Sequence, residues 1–491
     1  MTDRLSDLTS WHSDWAGLRV GVLGLGKTGF SVADTLVELG ATVLVVAQHA
    51  EDAQVQLVEV IGAGLVLDPV LDAAPPELVE LNPEVLVVSP GFHPDHPVLV
   101  WAAGQGIPVW GDVELAWRLR DKVGEPAEWI AVTGTNGKTT TVQLTATMLV
   151  DGGFRAAPCG NIGIPILDAI RDPAGFDVLV VELSSYQLHS TSSMSPYASV
   201  CLNVAEDHLD WHGSLDAYIA AKARVYTNTK VACVYNKSDA RTMRMVEEAE
   251  VIDGARAIGF GLGVPGPSDF GIVDGILCDR AFTEERRIAA LEITTVTDLA
   301  LRDLAAPHVV SNILAATALA RSYGVPIEAI RRSLERFELD HHRIELVAVQ
   351  GGVSWVDDSK ATNAHAADAS LGAYESVVWV AGGLLKGVDI DVLVKGRASR
   401  LRAAILIGVD RSDLRTAFQR HAPGVPVFEV DETETEEVMS AAVRLAADVA
   451  QPGDVVLLAP AAASMDQFVD YADRGRRFAQ AVRDHLGGGG S

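Results

Sequence analysis

The sequence T-G-T-N-G-K-T-T occupies residues 133–140, directly after the apolar run at residues 129–132. A glycine-rich turn between a strand and a helix points backbone N–H groups toward a phosphate, and the helix N-terminus adds partial positive charge. Lys138 can neutralise terminal phosphates, and the hydroxyl of Thr139 can bind Mg²⁺. The stretch therefore predicts a nucleoside triphosphate site at a strand-to-helix turn.

This loop departs from the general nucleotide-binding pattern G-x-x-x-x-G-K-[ST]. That pattern needs a glycine five residues before Gly137, and Val132 stands there instead. The shorter form is a narrower signature than the general loop. A tight turn that binds no ligand is the alternative interpretation.

The composition limits the classes of protein that this chain can belong to. Its 491 residues are too many for one ordinary core, so we expect two to four domains. A net charge of −27 argues against nucleic acid or an anionic membrane as the main partner. Four scattered cysteines give no metal-thiolate pattern and suit a reducing compartment. The polar start at residues 1–14 and the lack of a membrane-length apolar run predict a cytoplasmic protein without membrane insertion.

Strand and helix patterns alternate along almost the whole chain, which predicts α/β domains with parallel sheets and helices on both faces. We expect an N-terminal Rossmann-like domain at residues 1–124, a central P-loop-type ATPase domain at 125–339 and a C-terminal Rossmann-like domain at 340–491. The glycine- and proline-rich segment 259–271 is expected to be a loop or the edge of a meander. The predicted strands are 19–23, 42–46, 85–88, 109, 129–133, 178–183, 198–204, 231–235, 353–356, 377–381, 404–407, 425–430 and 455–459.

The first domain carries G-L-G-K-T-G at residues 24–29, which matches the dinucleotide pattern G-x-G-x-x-G. A nicotinamide-dependent oxidoreductase would also need an acid at the end of the second strand. That strand ends in A-Q-H at 47–49, and the first acid is Glu51. We therefore favour a phosphate or sugar-nucleotide site. The loop S-P-G at 89–91 follows another strand and is expected to line the same crevice.

The segment N-K-S-D at residues 236–239 spells the guanine-reading motif N-K-x-D of GTPases. A GTP-binding switch would also need the full phosphate loop and an Asp-x-x-Gly sequence after a strand. The loop is interrupted at Val132, and D-P-A-G at 172–175 comes before a strand. The sequence therefore disfavours a GTPase.

Candidate metal ligands follow two of the central strands. Glu182 ends one predicted strand beside the phosphate loop, where Mg²⁺ ligands are common. The sequence N-V-A-E-D-H-L-D-W-H at 203–212 follows another strand and indicates a site, although an acid-rich helix start is the alternative. Lys222, on a helix predicted at 217–226, has the pattern of an ordinary surface lysine.

Eight motifs occur together in one order, and in that order they resemble the Mur ligases. These motifs are T-G-T-N-G-K-T-T, G-N-I-G (160–163), V-E-L-S-S-Y-Q-L (181–188), N-V-A-E-D-H-L-D (203–210), A-A-K-A-R-V-Y (220–226), H-H-R (341–343), D-D-S-K-A-T-N (357–363) and S-M-D-Q-F (464–468). The resemblance implies an ATP-dependent amide ligase of peptidoglycan precursor synthesis. The first and third domains look most like the member that adds D-glutamate to UDP-N-acetylmuramoyl-L-alanine. A sibling ligase that adds another amino acid is the alternative.

The resemblance implies the roles of the ATP and metal residues. Two Mg²⁺ ions would be bound, with Lys222 carrying its metal as a carbamate. The implied catalytic residues are Lys138, His208, Lys222 and Arg343, and the implied metal ligands are Thr139, Glu182, His208 and Lys222. The implied ATP site comprises Gly134, Thr135, Asn136, Gly137, Lys138, Thr139, Thr140, Asn312 at the adenine, Arg343 at the phosphates and Asp358 at the ribose.

The substrate residues implied by the resemblance lie in all three domains, and we expect the enzyme to act as a monomer. The sugar-nucleotide residues are Gly26, Thr28, Ser89, Gly91 and Asn161, and the D-glutamate residues are Lys360, Thr362, Lys386, Ser464 and Phe468. Two departures affect these pockets. The segment G-G-L-L-K at 382–386 lacks the aspartate that usually precedes the family's lysine, and A-Q-H at 47–49 lacks a charged uracil contact.

Overall fold

A computed structural model describes residues 4–432 and 434–487. The start of the polar N-terminal stretch and the end of the glycine-rich tail lie outside these ranges. The chain forms two compact units, and each is discontinuous in sequence. The first contains residues 1–204 and 216–337, and the second contains residues 205–215 and 338–491. No helix in the described part of the chain is both long and apolar enough to cross a membrane.

The N-terminal part of the first unit is a five-stranded parallel sheet with strand order β3-β2-β1-β4-β5. Its inner strands are apolar and buried, as parallel strands covered by helices on both faces must be. The strands are β1 (Arg19–Leu23), β2 (Thr42–Ala47), β3 (Gly64–Leu67), β4 (Val85–Val88) and β5 (Val109–Gly111). The helices are α1 (Arg4–Asp7), α2 (Lys27–Glu38), α3 (Asp52–Ile61), α4 (Pro76–Leu81), α5 (Pro97–Gly104) and α6 (Asp112–Leu119).

The central part is a nine-stranded sheet with order β14-β13-β12-β11-β10-β9-β6-β8-β7. It is parallel from β7 to β12, and β13 and β14 extend it as antiparallel strands. The strands are β6 (Glu128–Thr133), β7 (Ala156–Gly160), β8 (Val178–Glu182), β9 (Ala198–Cys201), β10 (Ala232–Asn236), β11 (Arg256–Phe260), β12 (Asp269–Val273), β13 (Ile276–Asp279) and β14 (Leu291–Thr295). The helices are α7 (Lys138–Asp151), α8 (Ile166–Ile170), α9 (Ser185–His189), α11 (Leu215–Ala223), α12 (Ala240–Glu247), α13 (Val296–Ala300), α14 (Pro307–Ser322) and α15 (Ile327–Arg336).

Buried polar contacts join these two parts into one unit. The carboxylate of Glu114, on α6, accepts hydrogen bonds from the backbone N–H groups of Ser192 and Ser193 at 2.8 and 2.9 Å. The side chain of Asp112 accepts one from Nε2 of Gln187, on α9, at 2.9 Å. Because both carboxylates are almost fully buried, these bonds hold the N-terminal sheet against the central sheet.

The second unit is a six-stranded sheet with order β15-β16-β20-β17-β18-β19, parallel except for the β15–β16 pair. Two apolar clusters cover its faces. The strands are β15 (Glu345–Gln350), β16 (Val353–Asp357), β17 (Val377–Gly382), β18 (Leu401–Ile407), β19 (Val427–Glu429) and β20 (Val455–Leu458). The helices are α10 (Leu209–His212), α16 (Ala364–Gly372), α17 (Asp391–Arg397), α18 (Ser412–His421), α19 (Thr435–Val449) and α20 (Tyr471–Gly487).

The predicted α/β class is confirmed, but two local predictions of element bounds were wrong. The strand predicted at 198–204 ends at Cys201, and the next residues bend toward the phosphate loop. The prediction of a loop or a meander edge at 259–271 is confirmed, because the chain there leads from β11 through a loop into β12, the first strand of the antiparallel β12–β13–β14 edge of the sheet. The helix predicted at 217–226 begins earlier, at Leu215, and its last turn is a 3₁₀ helix at Arg224–Tyr226.

Candidate active site

The predicted phosphate loop lies at the carboxyl end of β6 and leads into α7. Gly134 and Gly137 have φ angles of 151° and 84°, which side chains disfavour, so the turn depends on glycine at both positions. The ammonium group of Lys138 donates to the carbonyl oxygens of Gly134 and Thr135, both at 3.0 Å. A Cβ on Gly137 would lie 2.4 Å from Oδ1 of Asn312, so the predicted adenine residue packs against this loop.

Lys222 lies beside the same loop, and its surface pattern is misleading. The side chain is only 2% exposed, because α11 packs it against the end of β6. Its Nζ donates to the Gly134 carbonyl oxygen at 2.9 Å, and Oγ1 of Thr133 lies 3.5 Å away. The ring of Tyr218 is 4.7 Å from the ammonium group. The structure therefore brings Lys138 and Lys222 to one carbonyl oxygen.

Glu182 ends β8 and is also buried, at 3% exposure. Its Oε1 accepts a hydrogen bond from Nδ2 of Asn161 at 2.9 Å, which joins a predicted metal ligand to a predicted substrate residue. Its Oε2 is buried and has no hydrogen-bond partner among the described residues. A buried carboxylate oxygen without a partner is costly unless something binds it, and a hard cation would satisfy it. This corner of the site therefore fits Mg²⁺.

Asn203 is a residue of this site that the sequence did not single out for a role of its own. Its side-chain amide contacts both backbone polar groups of Asn136 in the phosphate loop. The backbone carbonyl oxygen of Asn203 accepts a further hydrogen bond from the N–H group of Thr135, at 3.0 Å. The sequence places Asn203 directly after a buried strand, as the first residue of the motif N-V-A-E-D-H-L-D, and does not reveal this contact.

The predicted sugar-nucleotide loops contact each other at the carboxyl ends of β1 and β4. A Cβ on Gly24 would lie 2.8 Å from Oγ of Ser89, and a Cβ on Gly29 would lie 2.1 Å from the Gly24 carbonyl oxygen. Ser89 Oγ is buried and has no hydrogen-bond partner in the part of the chain that the structure describes. Two further residues predicted to bind the sugar nucleotide, Gly26 and Gly91, are exposed at the same edge.

His208 belongs to the second unit, whereas Glu182 and Lys222 belong to the first. It adopts a left-handed backbone with φ of 55°, and its N–H group donates to Oδ1 of Asp207 at 2.9 Å. Oδ2 of Asp207 accepts a hydrogen bond from Nδ2 of Asn363 at 3.3 Å. Its part in a metal site stays a prediction.

Asp358, the predicted ribose residue, follows β16 and is buried. Burial raises the pKa of its carboxyl group to about 7, although the Ser370 hydroxyl and the nearby Arg343 guanidinium act in the opposite direction. The backbone N–H of Ile344 donates to its Oδ1 at 3.4 Å. The structure thus places Arg343 and Asp358 within one electrostatic neighbourhood of the second unit.

One group of three side chains among the described residues has the spacing of a metal site, and the sequence did not predict it. It consists of His342, Glu345 and Asp357. Nδ1 of His342 lies 2.6 Å from Oδ2 of Asp357, and this hydrogen bond raises the pKa of the imidazole. Oε2 of Glu345 accepts from the His342 N–H at 2.9 Å. These groups satisfy one another, so we interpret them as an ion-pair cluster.

The predicted D-glutamate residues lie on loops that touch each other. Leu384 and Ala463 exchange two backbone hydrogen bonds, which joins the loop carrying Lys386 to the loop carrying Ser464. A Cβ on Gly383 would lie 2.2 Å from the Ala463 carbonyl oxygen, so this close approach needs glycine.

Phe468 lies on the same loop as Ser464, and Lys360 lies on the loop between β16 and α16. The Lys360 ammonium group lies 3.6 Å from the centre of the Tyr471 ring. Phe468 is buried, and Thr362 is half-buried.

Arg474 was missed by the sequence reasoning, because it looks like one of many arginines on an amphipathic helix. The structure buries it completely. Its guanidinium donates to Oγ and the carbonyl oxygen of Ser359, at 3.0 and 2.9 Å, and to the carbonyl oxygen of Ala462 at 3.1 Å. Burial lowers its pKa to about 10. Arg474 therefore joins the chain before Lys360 to the chain before Ser464.

The sequence matches three family domains that follow one another along the chain. The Mur ligase MurD-like N-terminal domain matches residues 18–111, the Mur ligase middle domain 132–320, and the Mur ligase glutamate ligase domain 342–462. Together they cover most of the chain. The chain belongs to the Mur ligase family.

Its relatives narrow the comparison to one branch of that family. A protein of Leifsonia xyli named UDP-N-acetylmuramoylalanine–D-glutamate ligase is 68% identical over 99% of this chain and 96% of the relative. A protein of the same name from Streptomyces avermitilis is 51% identical over 96% of this chain and 99% of the relative.

Solved structures of the family share the fold at low identity. The UDP-N-acetylmuramate-alanine ligase MurC of Thermotoga maritima is 18% identical with a TM-score of 0.55, covering 95% of this chain and 99% of that one. The MurF ligase of the same organism, in complex with ADP, is 19% identical with a TM-score of 0.54, covering 99% and 100%.

Proposed function

We propose that this chain catalyses the ATP-dependent addition of D-glutamate to UDP-N-acetylmuramoyl-L-alanine in peptidoglycan precursor synthesis. The observation that carries the proposal is the phosphate loop at which Lys138 and Lys222 meet, one residue from the end of β6. Its nearly full-length relatives carry the name of this ligase. We propose that it acts in the cytoplasm as a monomer.

The chemistry begins with a poor electrophile. A carboxylate does not react with an amine at neutral pH, so the terminal L-alanine carboxylate must first take the γ-phosphoryl group of ATP. The resulting acyl phosphate has a good leaving group. The amine of D-glutamate then attacks the acyl carbon, a tetrahedral intermediate forms, and phosphate leaves as the amide is made. Lys138 supplies positive charge where the transferred phosphoryl group gains negative charge.

Mg²⁺, when bound, neutralises phosphate oxygens and holds them in place. Thr139 and Glu182 would hold one ion, and His208 and Lys222 would hold a second. The unpartnered Oε2 of Glu182 supports the first assignment, since it is an anionic oxygen that the described residues leave unsatisfied.

An unmodified Lys222 is unsuited to a metal because its ammonium group is a cation with a reference pKa near ~10.4. Reaction of the neutral amine with CO₂ forms a carbamate and releases a proton, which replaces the cation with anionic oxygens. Two observations support this modification. The side chain is almost fully buried, and it shares one carbonyl oxygen with the Lys138 ammonium group. Removing one of two neighbouring positive charges relieves their repulsion.

D-Glutamate brings two carboxylates, so its pocket needs cationic and hydroxyl groups at fixed places. Lys386, Thr362 and Ser464 are of the right type, and Lys360 adds a further cation. Gly26, Thr28, Ser89, Gly91 and Asn161 would bind the sugar nucleotide, while Asn312, Arg343 and Asp358 would bind ATP together with the phosphate loop.

The function is tested by measuring phosphate release from ATP with Mg²⁺ and UDP-N-acetylmuramoyl-L-alanine present. We expect D-glutamate to trigger stoichiometric release of ADP and phosphate, and L-glutamate, the matched control, to have no effect. Other amino acids used by sibling ligases are tested in the same assay. Equal release without the nucleotide sugar, or a stronger response to another amino acid, would reject the proposal.

A further inference from the structure

The N-K-S-D segment, residues 236–239, follows β10 and takes no part in the proposed chemistry. Two of its side chains form hydrogen bonds with the backbone of the segment that follows β9. Nδ2 of Asn236 donates to the Leu202 carbonyl oxygen at 2.9 Å. Oδ2 of Asp239 accepts from the Val204 N–H at 2.8 Å. The segment therefore holds the residues on both sides of Asn203.

Asn203 in turn holds the phosphate loop through its amide. Its Oδ1 accepts from the N–H of Asn136 at 2.9 Å, and its Nδ2 donates to the carbonyl oxygen of Asn136 at 3.1 Å. One amide therefore satisfies both backbone polar groups of one loop residue, which fixes the orientation of the adjoining peptides. Asn136 is one of the residues predicted to bind ATP, and its bonds to Asn203 fix the backbone of the loop at that position.

The side chains of Asn236 and Asp239 make further hydrogen bonds that hold them in place. Oδ1 of Asp239 accepts from the N–H of Arg241 at 3.0 Å, and the Arg241 guanidinium donates to the Val204 carbonyl oxygen at 2.7 Å. Oδ1 of Asn236 accepts from the N–H of Ser238 at 2.9 Å. Lys237 is different, because its ammonium group turns away to the carboxylate of Asp269 on β12.

We propose that Asn203 is a positioning residue for the phosphate loop, and that Asn236 and Asp239 act through it. The inference rests on the proposed function, since it takes the loop to bind ATP phosphates. Phosphate binding is strongest when the N–H groups already point at the ligand, because no binding energy is then spent on ordering the loop. In this chain the N-K-x-D segment therefore stabilises the phosphate loop indirectly, through its contacts with residues 202–204.

The main test is Asn203→Ala, which removes both amide hydrogen bonds and keeps the backbone one. Two hydrogen bonds of about 0.5–1.5 kcal/mol each predict an increase on the order of tenfold in the KM for ATP. We expect the dissociation constant of ADP, measured by calorimetry, to rise by a similar factor. The KM for D-glutamate should stay unchanged, because its residues lie in the second unit.

Two further variants separate positioning from general weakening. Asn236→Ala should raise the KM for ATP less than Asn203→Ala, and should add nothing in the Asn203→Ala background, because its effect passes through Asn203. Lys237→Met is the matched control, since it changes the same segment without touching residues 202–204. Its KM for ATP should equal that of the wild type.

The wild-type enzyme separates failure of this inference from failure of the function. Absence of D-glutamate-dependent phosphate release by the wild type would reject the proposed function. Normal release together with an unchanged KM for ATP in Asn203→Ala would overturn the inference, as would additive effects in the double variant. If Asn203→Ala does not fold, Asn236→Ala carries the test, and an unchanged KM for ATP there overturns the inference.

Discussion

Two lysine ammonium groups, of Lys138 and Lys222, donate to the Gly134 carbonyl oxygen, and we expect the two residues to have different roles. Lys138 donates to the carbonyls of its own loop, and it would have to leave them to reach a phosphate. We expect Lys138→Ala to lower kcat by a factor on the order of 10³, because it removes charge aimed at the transferred group. Phosphate release gives kcat, and thermal unfolding reports on the fold.

The control for this variant is Lys230→Ala, which removes a lysine paired with Glu128 at the far end of β6. Its kcat should match that of the wild type. A Lys138→Ala enzyme with near-normal kcat, or one whose melting temperature falls sharply, would contradict the assigned role.

Lys222 gives the second prediction at this scale. Lys222→Ala should lose activity, since it removes the side chain that would carry the carbamate oxygens. Acetate should restore part of the rate by supplying a carboxylate in the vacated space, while chloride at equal ionic strength should not. Rates are measured as phosphate release over a range of acetate concentrations. A Lys222→Ala enzyme with full activity, or one that chloride restores equally, would refute the carbamate.

Helix α6 gives a prediction at the scale of elements, because the pKa values of its two buried carboxyl groups are shifted in opposite directions. Burial raises the pKa of Asp112 to about 6, and its Oδ1 has no hydrogen-bond partner among the described residues. Burial also acts to raise the pKa of Glu114, but the N–H groups of Ser192 and Ser193 outweigh it and lower that pKa.

The carboxyl group of Asp112 binds a proton more tightly in the folded state than in the unfolded state, where an Asp carboxyl group has a pKa of about 3.9. Its stabilising contribution is therefore complete below that value and is lost as the pH rises through about 6. We expect Asp112→Asn to gain about 2 kcal/mol in free energy of unfolding relative to the wild type as the pH rises from 4 to 7. Urea unfolding at several pH values measures the difference.

Glu114→Gln is the matched control on the same helix. Its carboxylate is stabilising above its unfolded pKa, and that contribution is lost as the pH falls. The variant should therefore lose stability relative to the wild type at pH 7 and approach it in acid. Parallel pH profiles for the two variants would contradict this account of the contact between the two sheets.

The sequence predicted the elements whose signals are local. Apolar runs such as 178–182 are buried over their full length, and the motifs after them fall at strand ends. Strand β7, with sequence A-A-P-C-G, was missed because proline and glycine disfavour strands, and it is an edge strand where proline is tolerated. Strands β13 and β14 were not predicted individually, because the Gly/Pro-rich segment that leads to them indicated only a loop or the edge of a meander.

The burial or the contacts of some site residues depend on packing across the fold, which local sequence patterns do not show. Lys222 has a surface pattern along its own helix, and only the packing of α11 against β6 buries it. Asn203 and Arg474 bond to the backbones of Asn136 and Ser359, which are 67 and 115 residues away in sequence, so the local sequence does not reveal these contacts. His208 shares a motif with Asn203, yet the structure assigns the two residues to different units.

At the scale of the whole molecule, a negatively charged protein has to bind negatively charged substrates. The chain has a net charge of −27, although ATP, the sugar nucleotide and D-glutamate are all anionic. Local cations therefore have to attract the ligands against the average field. We expect Lys138 at the phosphate loop and Lys360 in the second unit to be cations of this kind.

The second unit takes residues 205–215 from the middle of the chain and the rest from residue 338 onward. During synthesis on the ribosome, this short piece emerges long before its partners, including Asn363, which bonds to Asp207. At about 5–20 residues per second, residues 338–491 follow over a period on the order of ten seconds. The first unit can be completed once residue 337 has emerged. The first unit can therefore fold on the nascent chain while residues 205–215, which include His208, still lack the rest of the second unit.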